Sequence, residues 1–236
     1  MKAIGRFFRR LPARIIFSIW SLWNHILYPP RIRFPDRETK KAFRRTPCIL
    51  IANHTEHTDG YFLPQMLKKR HLYTYVTRKW YDKKNLKWLF SNLPYLPIDL
   101  TSLDTEWLAR GEEVLKAGGS ILIFPEGKLV REDMLGAFHP GALMLARKTG
   151  VPVYPVALVG KYRKFRRKTV LVGRPLELDL RRRGRPGQIL REEAEKCREV
   201  LSGMLGLPYE SALPAPAPTP NSPSEVPTPE PVPLPN

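Results

Sequence analysis

Cys48-Ile-Leu-Ile-Ala52 runs directly into Asn53-His-Thr-Glu-His-Thr-Asp59, and Ser120-Ile-Leu-Ile-Phe124 runs directly into Pro125-Glu-Gly-Lys128. Each is a short apolar run closed by a polar cluster. Short, largely apolar runs of this kind mark strands buried on both faces, as in parallel sheets. Leu72-Tyr-Thr-Tyr-Val76, Val153-Tyr-Pro-Val-Ala-Leu158 and Thr169-Val-Leu-Val172 read as further strands. Helical patterns lie between and after them: one capped by Asp104 and running to about Lys116, one over Gly141–Lys148, one over Gln188–Leu205. The alternation predicts an α/β fold, a largely parallel central sheet flanked by helices. Pro155, which cannot donate to a ladder, predicts an edge strand or a strand end. In a parallel sheet the C-terminal strand ends share one edge, and ligands bind outside it. The two polar clusters are therefore expected in one cleft.

The chain has 236 residues, with 40 Lys+Arg against 22 Asp+Glu and a net charge of +18. Eleven of its 25 prolines fall in the stretch from Pro208 to Asn236, which holds three Glu and no Lys or Arg. Residues 208–236 are expected to be a Pro-rich disordered tail, because such a composition cannot build a core. Without the tail's three Glu the charge rises to +21, so an anionic partner is expected. Cys48 and Cys197 exclude a disulfide scaffold and a four-cysteine zinc site, and fit a reducing compartment.

Residues 1–30 read as an N-terminal basic, amphipathic segment. Lys2, Arg6, Arg9, Arg10 and Arg14 lead into Ile15-Ile-Phe-Ser-Ile-Trp-Ser-Leu-Trp23, and the stretch stops at Pro29-Pro30. This apolar run falls short of the ~20 residues of a spanning helix. No small-residue cleavage site follows, so a cleaved signal peptide is not expected. Cations, Trp and aliphatics on one short helix suit the headgroup region of a bilayer. A helix buried on the domain, or one that binds a partner, is the other reading.

His54 and Asp59 could pair where a strand end bends into a helix. A carboxylate beside an imidazole fixes its tautomer and stabilises the imidazolium, which makes a general base. No G-x-S-x-G elbow is present and neither cysteine carries a nucleophile signature, so the base would act on a substrate hydroxyl directly. His54, Glu56, His57 and Asp59 could ligate a metal, but the HExxH order and a third ligand cluster are missing, so no metal is expected. In the second cluster, Gly127 permits close backbone approach, and Lys128 and Arg131 place cations where a phosphate or oxyanion could sit.

These residues resemble the glycerolipid (lysophospholipid) acyltransferase family, typified by 1-acylglycerol-3-phosphate acyltransferases. Asn53-His54-x4-Asp59 is similar to its first motif, Leu96-Pro-Ile-Asp99 to its second, Phe124-Pro-Glu-Gly127 to its third and Val151-Pro-Val-Tyr-Pro-Val156 to its fourth. Phe138-x-x-Gly141-Ala142 and Val172-Gly-Arg-Pro175 also match, so the likeness spans about residues 30 to 200 in order. It implies an acyltransferase domain over 31–207 that moves a fatty acyl group from acyl-CoA or acyl-carrier protein to a lipid hydroxyl in phospholipid biosynthesis. It implies His54 as general base and Asp59 as its partner. Asn53, Lys79, Phe124, Pro125, Glu126, Gly127, Lys128 and Arg131 would serve substrate binding, and no cofactor is implied. The expected place is the cytoplasmic face of a membrane, peripheral or monotopic. Two departures stand out: Leu100 and Lys128-Leu129 occupy positions where the family places arginines that bind the acceptor phosphate. Lysophosphatidic acid is the first-choice acceptor. Another lyso-lipid, glycolipid or aminolipid is the alternative.

A non-catalytic membrane or nucleic-acid binder is the competing class. Lys161-Tyr-Arg-Lys-Phe-Arg-Arg-Lys168 mixes basic and aromatic residues as single-strand binders do. The same run suits anionic headgroups equally well. With no recognised nucleic-acid module, a nucleic-acid partner is not expected.

Overall fold

Alternating burial decides how the strands sit. Strand β2 (Ile49–Ala52) sends Ile49 and Ile51 into one core cluster and Leu50 and Ala52 into another. Both faces are covered, which is why the run is apolar at every position. The computed structural model describes residues 15, 17–69, 71–84, 86–99, 105–131 and 133–211. In chain order the elements are α1 (17–27), β1 (Pro30–Arg33), α2 (Arg37–Arg45), β2, α3 (Asp59–Leu67), β3 (Leu72–Thr77), α4 (Arg78–Tyr81), α5 (Lys87–Asn92) and β4 (Tyr95–Ile98). They continue with α6 (Glu106–Lys116), β5 (Ser120–Ile123), α7 (Gly141–Thr149), β6 (Val153–Val159), β7 (Lys168–Val172) and α8 (Pro186–Leu205).

The seven strands form one sheet in the order β1-β7-β6-β2-β5-β3-β4. Every pairing is parallel except β6 with β7. So β6, β2, β5, β3 and β4 point one way, while β7 and β1 point back. The expected α/β fold with a largely parallel sheet is what forms. Leu108, Leu145, Leu190, Cys197 and Leu201 cover one face from α6, α7 and α8. Phe43, Phe62, Leu63 and Met66 cover the other from α2 and α3. Both cysteines are free and buried.

Close packing needs Gly111. A Cβ there would lie 2.2 Å from the Tyr75 hydroxyl and 3.0 Å from Leu145. That gap lets Tyr75 donate to the Trp107 carbonyl at 2.7 Å and lets α6 meet α7.

Several expectations change. Pro155 is not on an edge, because β6 lies between β2 and β7. The β6–β7 ladder covers only Val156 to Val159, and the Pro155 carbonyl accepts from Gly173 N–H just past the end of β7. A residue's N–H and C=O leave a strand on the same side, so the missing donor faces a neighbour that has already ended. β1 and β4, each with a proline, and helices α2 to α5 had no sequence expectation. The α6 N-cap is Thr105, and Asp104 lies outside the described residues, as do Leu100 and residues 212–236. The first tail residues do not hang free. The Tyr209 hydroxyl donates to Glu195 at 3.2 Å, Ser202 donates to the Pro208 carbonyl at 3.2 Å, and Arg198 donates to the Glu210 carbonyl.

Among the described residues, no helix is long and apolar enough to cross a membrane. Helix α1 rests on α3 through Phe17 and Trp20, both edge-on to Tyr61. Ile19, Leu22, Trp23 and Ile26 are more than half exposed.

Candidate active site

The polar cluster after β2 is a turn built around one carboxylate. Asp59 opens α3, is 0% exposed, and through Oδ2 accepts from the backbone N–H groups of Thr55 and Glu56, each at 2.8 Å. The same oxygen meets His54 Nδ1 at 3.3 Å. The turn thus brings together two side chains that a continuous helix would hold apart. With Nδ1 on the carboxylate, Nε2 is the nitrogen left to take a proton. The His54 side chain is 20% exposed. Asn53 looks the other way: its side chain accepts from Leu158 N–H at 2.8 Å and donates to the Leu158 carbonyl at 3.1 Å. It ties the end of β2 to β6 as a missing ladder rung would.

The second cluster arrives from β5. A turn over Phe124-Pro-Glu-Gly127 is closed by Gly127 N–H donating to the Phe124 carbonyl at 3.2 Å. Pro125 presets the turn, and Gly127 adopts φ +66°, where a Cβ would also approach His139 at 3.2 Å. The Phe124 ring stacks on the His54 imidazole with centroids 4.2 Å apart. The chain then returns past the first cluster, with Val130 N–H donating to the His54 carbonyl at 2.9 Å. The two clusters do meet on one sheet edge.

Glu126 faces inward. It is 2% exposed, and Oε2 accepts the His54 backbone N–H at 2.9 Å. Burial pushes its pKa up to about 8, with the Asp59 charge adding to the effect. The carboxyl therefore grips the histidine backbone rather than lying open in the cleft. Lys79, on α4 directly after β3, and Lys128 are exposed at this edge. Arg131 is exposed and bound to Asp133 at 2.8 Å. Thr55, Glu56, Leu129, Val130, Arg131 and Lys161 line a depression beside His54.

Sequence reasoning missed Tyr162 and Lys161. Tyr162 packs against Tyr28 and Phe62, and its backbone N–H donates to Glu56 at 3.3 Å. Burial pushes its phenol up, and the neighbouring Asp59 and Glu56 carboxylates push it further. The basic run containing both residues was the available signal. Lys168, the last residue of that run, is buried in β7 with its ammonium on the Gly160 carbonyl and 4.2 Å from the Tyr162 ring. Among the described residues, no group of His, Cys, Asp and Glu could hold a metal ion.

The chain is similar to a chloroplastic 1-acyl-sn-glycerol-3-phosphate acyltransferase of Brassica napus, at 32% identity over 118 residues, 49% of this chain and 33% of that protein. It is 33% identical over 121 residues to a 1-acyl-sn-glycerol-3-phosphate acyltransferase of Pseudomonas aeruginosa, 47% of this chain and 44% of that one. A lyso-ornithine lipid O-acyltransferase of Pseudomonas aeruginosa is 32% identical over 115 residues, 48% of this chain and 43% of its own. The chain spans less than half the length of these relatives. The solved 1-acyl-sn-glycerophosphate acyltransferase of Thermotoga maritima has the same fold, with a TM-score of 0.56, 18% identity, and 87% of this chain and 82% of that one covered. The Acyltransferase family model matches residues 31–159, from β1 through the end of β6 and around both polar clusters. With more than half its length matched and the His54–Asp59 pair inside that span, the chain belongs to the acyltransferase family.

Proposed function

We propose that the protein moves a fatty acyl group from a thioester, acyl-CoA or acyl-carrier protein, to the hydroxyl of a lyso-glycerolipid, 1-acylglycerol-3-phosphate first among them. The product would be phosphatidic acid. The observation that carries this reading is the His54 imidazole held on buried Asp59 by Nδ1 at the edge where the Phe124-Pro-Glu-Gly127 turn arrives. His54 Nε2 takes the acceptor's hydroxyl proton as that oxygen attacks the thioester carbonyl. The tetrahedral oxyanion collapses, the C–S bond breaks, and the imidazolium returns the proton to the departing thiolate. Asp59 stabilises the imidazolium in between, and no acyl-enzyme forms. Stacked Phe124 and the Glu126 grip hold the base in place. Lys128 and Lys79 serve the acceptor's phosphate, with Arg131 beside them.

A second acceptor class, an aminolipid, is favoured by one observation. The arginine position after Phe-Pro-Glu-Gly is Leu129, and Arg131 is engaged by Asp133. The relative named for lyso-ornithine lipid supports it.

The outward apolar face of α1 supports residues 1–30 as a peripheral anchor on an anionic, cytoplasmic membrane face, where such acceptors reside. The test supplies the purified full chain with labelled acyl-CoA or acyl-carrier protein and a panel of lyso-lipids, and reads product mass. Phosphatidic acid formation that disappears in His54→Ala is expected. A folded protein that acylates no lyso-lipid from either donor overturns the reading.

A further inference from the structure

We infer that the β6–β7 loop, residues 160–167, is a second membrane-docking element that joins α1 to form one bilayer-facing surface beside the active site. The continuity argument rests on the membrane reading of α1. Lys161, Arg163, Lys164, Arg166 and Arg167 crowd this loop, and among the described residues none has a carboxylate partner. In their midst Phe165 is 70% exposed and sits at φ +60°, a left-handed conformation that L-residues other than glycine rarely hold. Two bonds hold it there. Phe165 N–H donates to the Leu27 carbonyl at the end of α1, at 2.6 Å, and Arg166 N–H donates to the Arg163 carbonyl at 3.0 Å. The loop tip is thus tied to the helix whose Leu22, Trp23 and Ile26 are exposed.

The loop base is tied to the catalytic turn. Tyr162 N–H donates to Glu56, and buried Lys168 closes the base on the Gly160 carbonyl. Topology puts all of this on one side. β6 runs parallel to β2, so its C-terminal end and the loop lie at the edge that carries His54. A large apolar side chain among unpaired cations, next to exposed Trp and Ile, matches an interface with anionic headgroups and the acyl boundary. An acidic protein surface would match the cations and leave Phe165, Trp23 and Ile26 in water. Seated this way, the cleft opens toward the layer that supplies its acceptor.

The test uses the full chain with Phe165→Cys carrying an environment-sensitive fluorophore. Cys48 and Cys197 are buried, so labelling is selective. A blue shift and shielding from an aqueous quencher are expected with phosphatidylcholine vesicles containing phosphatidylglycerol. At ~1 kcal/mol per cation near such a surface, Arg163→Gln, Lys164→Gln, Arg166→Gln and Arg167→Gln together should lower partitioning onto these vesicles by roughly 10³-fold. Turnover of a short-chain, monomeric acceptor should be unchanged. Leu22→Ser with Trp23→Ser tests α1 alone. If that pair loses binding while the four-fold loop variant binds like wild type, the loop inference is wrong and the α1 reading stands. A label that responds to acidic acyl-carrier protein and not to vesicles also overturns it, in favour of donor docking. Vesicle binding is read without turnover, so failure of the acyl-transfer reading leaves the result intact.

Discussion

Replacing Glu126 by Gln should make the protein gain stability relative to wild type as pH rises. The Glu126 carboxyl is buried against the His54 backbone, and its pKa rises from an ordinary 4.5 to about 8. Below 4.5 both folded and unfolded chains hold the proton, and the group costs nothing. Above that, the unfolded chain releases its proton while the folded chain keeps it. The stability present at low pH is therefore lost progressively up to about pH 8, and the loss then levels off. At 1.36 kcal/mol for each pH unit of this window, the accumulated loss is about 1 kcal/mol at pH 5 and about 3 kcal/mol at pH 7. Gln keeps an oxygen for the His54 N–H and never ionises, so its own curve lacks this slope. A buried, unpaired Gln amide would subtract a constant amount, which leaves the slope as the diagnostic. For a chain of this size the Tm difference, variant minus wild type, should grow by roughly 4–8 °C between pH 5 and pH 7. Calorimetry of both proteins across pH 4.5–8.5 reads it. A difference that stays constant or shrinks would mean Glu126 is ionised in the folded protein, and the burial argument would be refuted.

His54→Ala should lose ~10²–10⁴-fold in acyl transfer with its circular dichroism unchanged, since a positioned base contributes that much. Asp59→Asn should lose a comparable factor, measured in the same radiolabel assay. Asn53→Ala strands the Leu158 N–H and carbonyl in a buried strand, so urea unfolding should show a loss of about 2–4 kcal/mol. Gly111→Ala drives a methyl into the Tyr75 hydroxyl, 2.2 Å away, and should cost about 1–3 kcal/mol by the same method; pairing it with Tyr75→Phe should recover part of the loss, because the hydroxyl is the nearest obstacle while Leu145 stays at 3.0 Å. If the acceptor is a phosphomonoester, Lys128→Ala should raise its KM about ten-fold or more and leave a phosphate-free acceptor unaffected, since a hydrogen bond to a charged group contributes ~1.5–3 kcal/mol; an unchanged KM for the phosphomonoester removes Lys128 from the acceptor site.

The sequence by itself determined the layer architecture and the two polar clusters that make up the candidate site. β2, β5 and β6 are legible because burial on both faces makes nearly every position apolar. The clusters at Asn53–Asp59 and Pro125–Lys128 are legible because polarity breaks abruptly at the strand end. Edge strands carry no such signal: Pro30-Arg-Ile-Arg33 and Tyr95-Leu-Pro-Ile98 form only because β7 and β3 offer them a ladder. Pairing across the chain was decided by the tertiary structure alone. The inward turn of Glu126, the stacking of Phe124 on His54, the arrival of Tyr162 beside Asp59 and the capture of the Phe165 N–H by Leu27 join segments far apart in sequence. Periodicity records whether a side chain is buried, since burial is a property of one residue in its own element. A contact between distant residues is a property of the sheet order β1-β7-β6-β2-β5-β3-β4, and that order follows from how all the strands and helices cover one another at once.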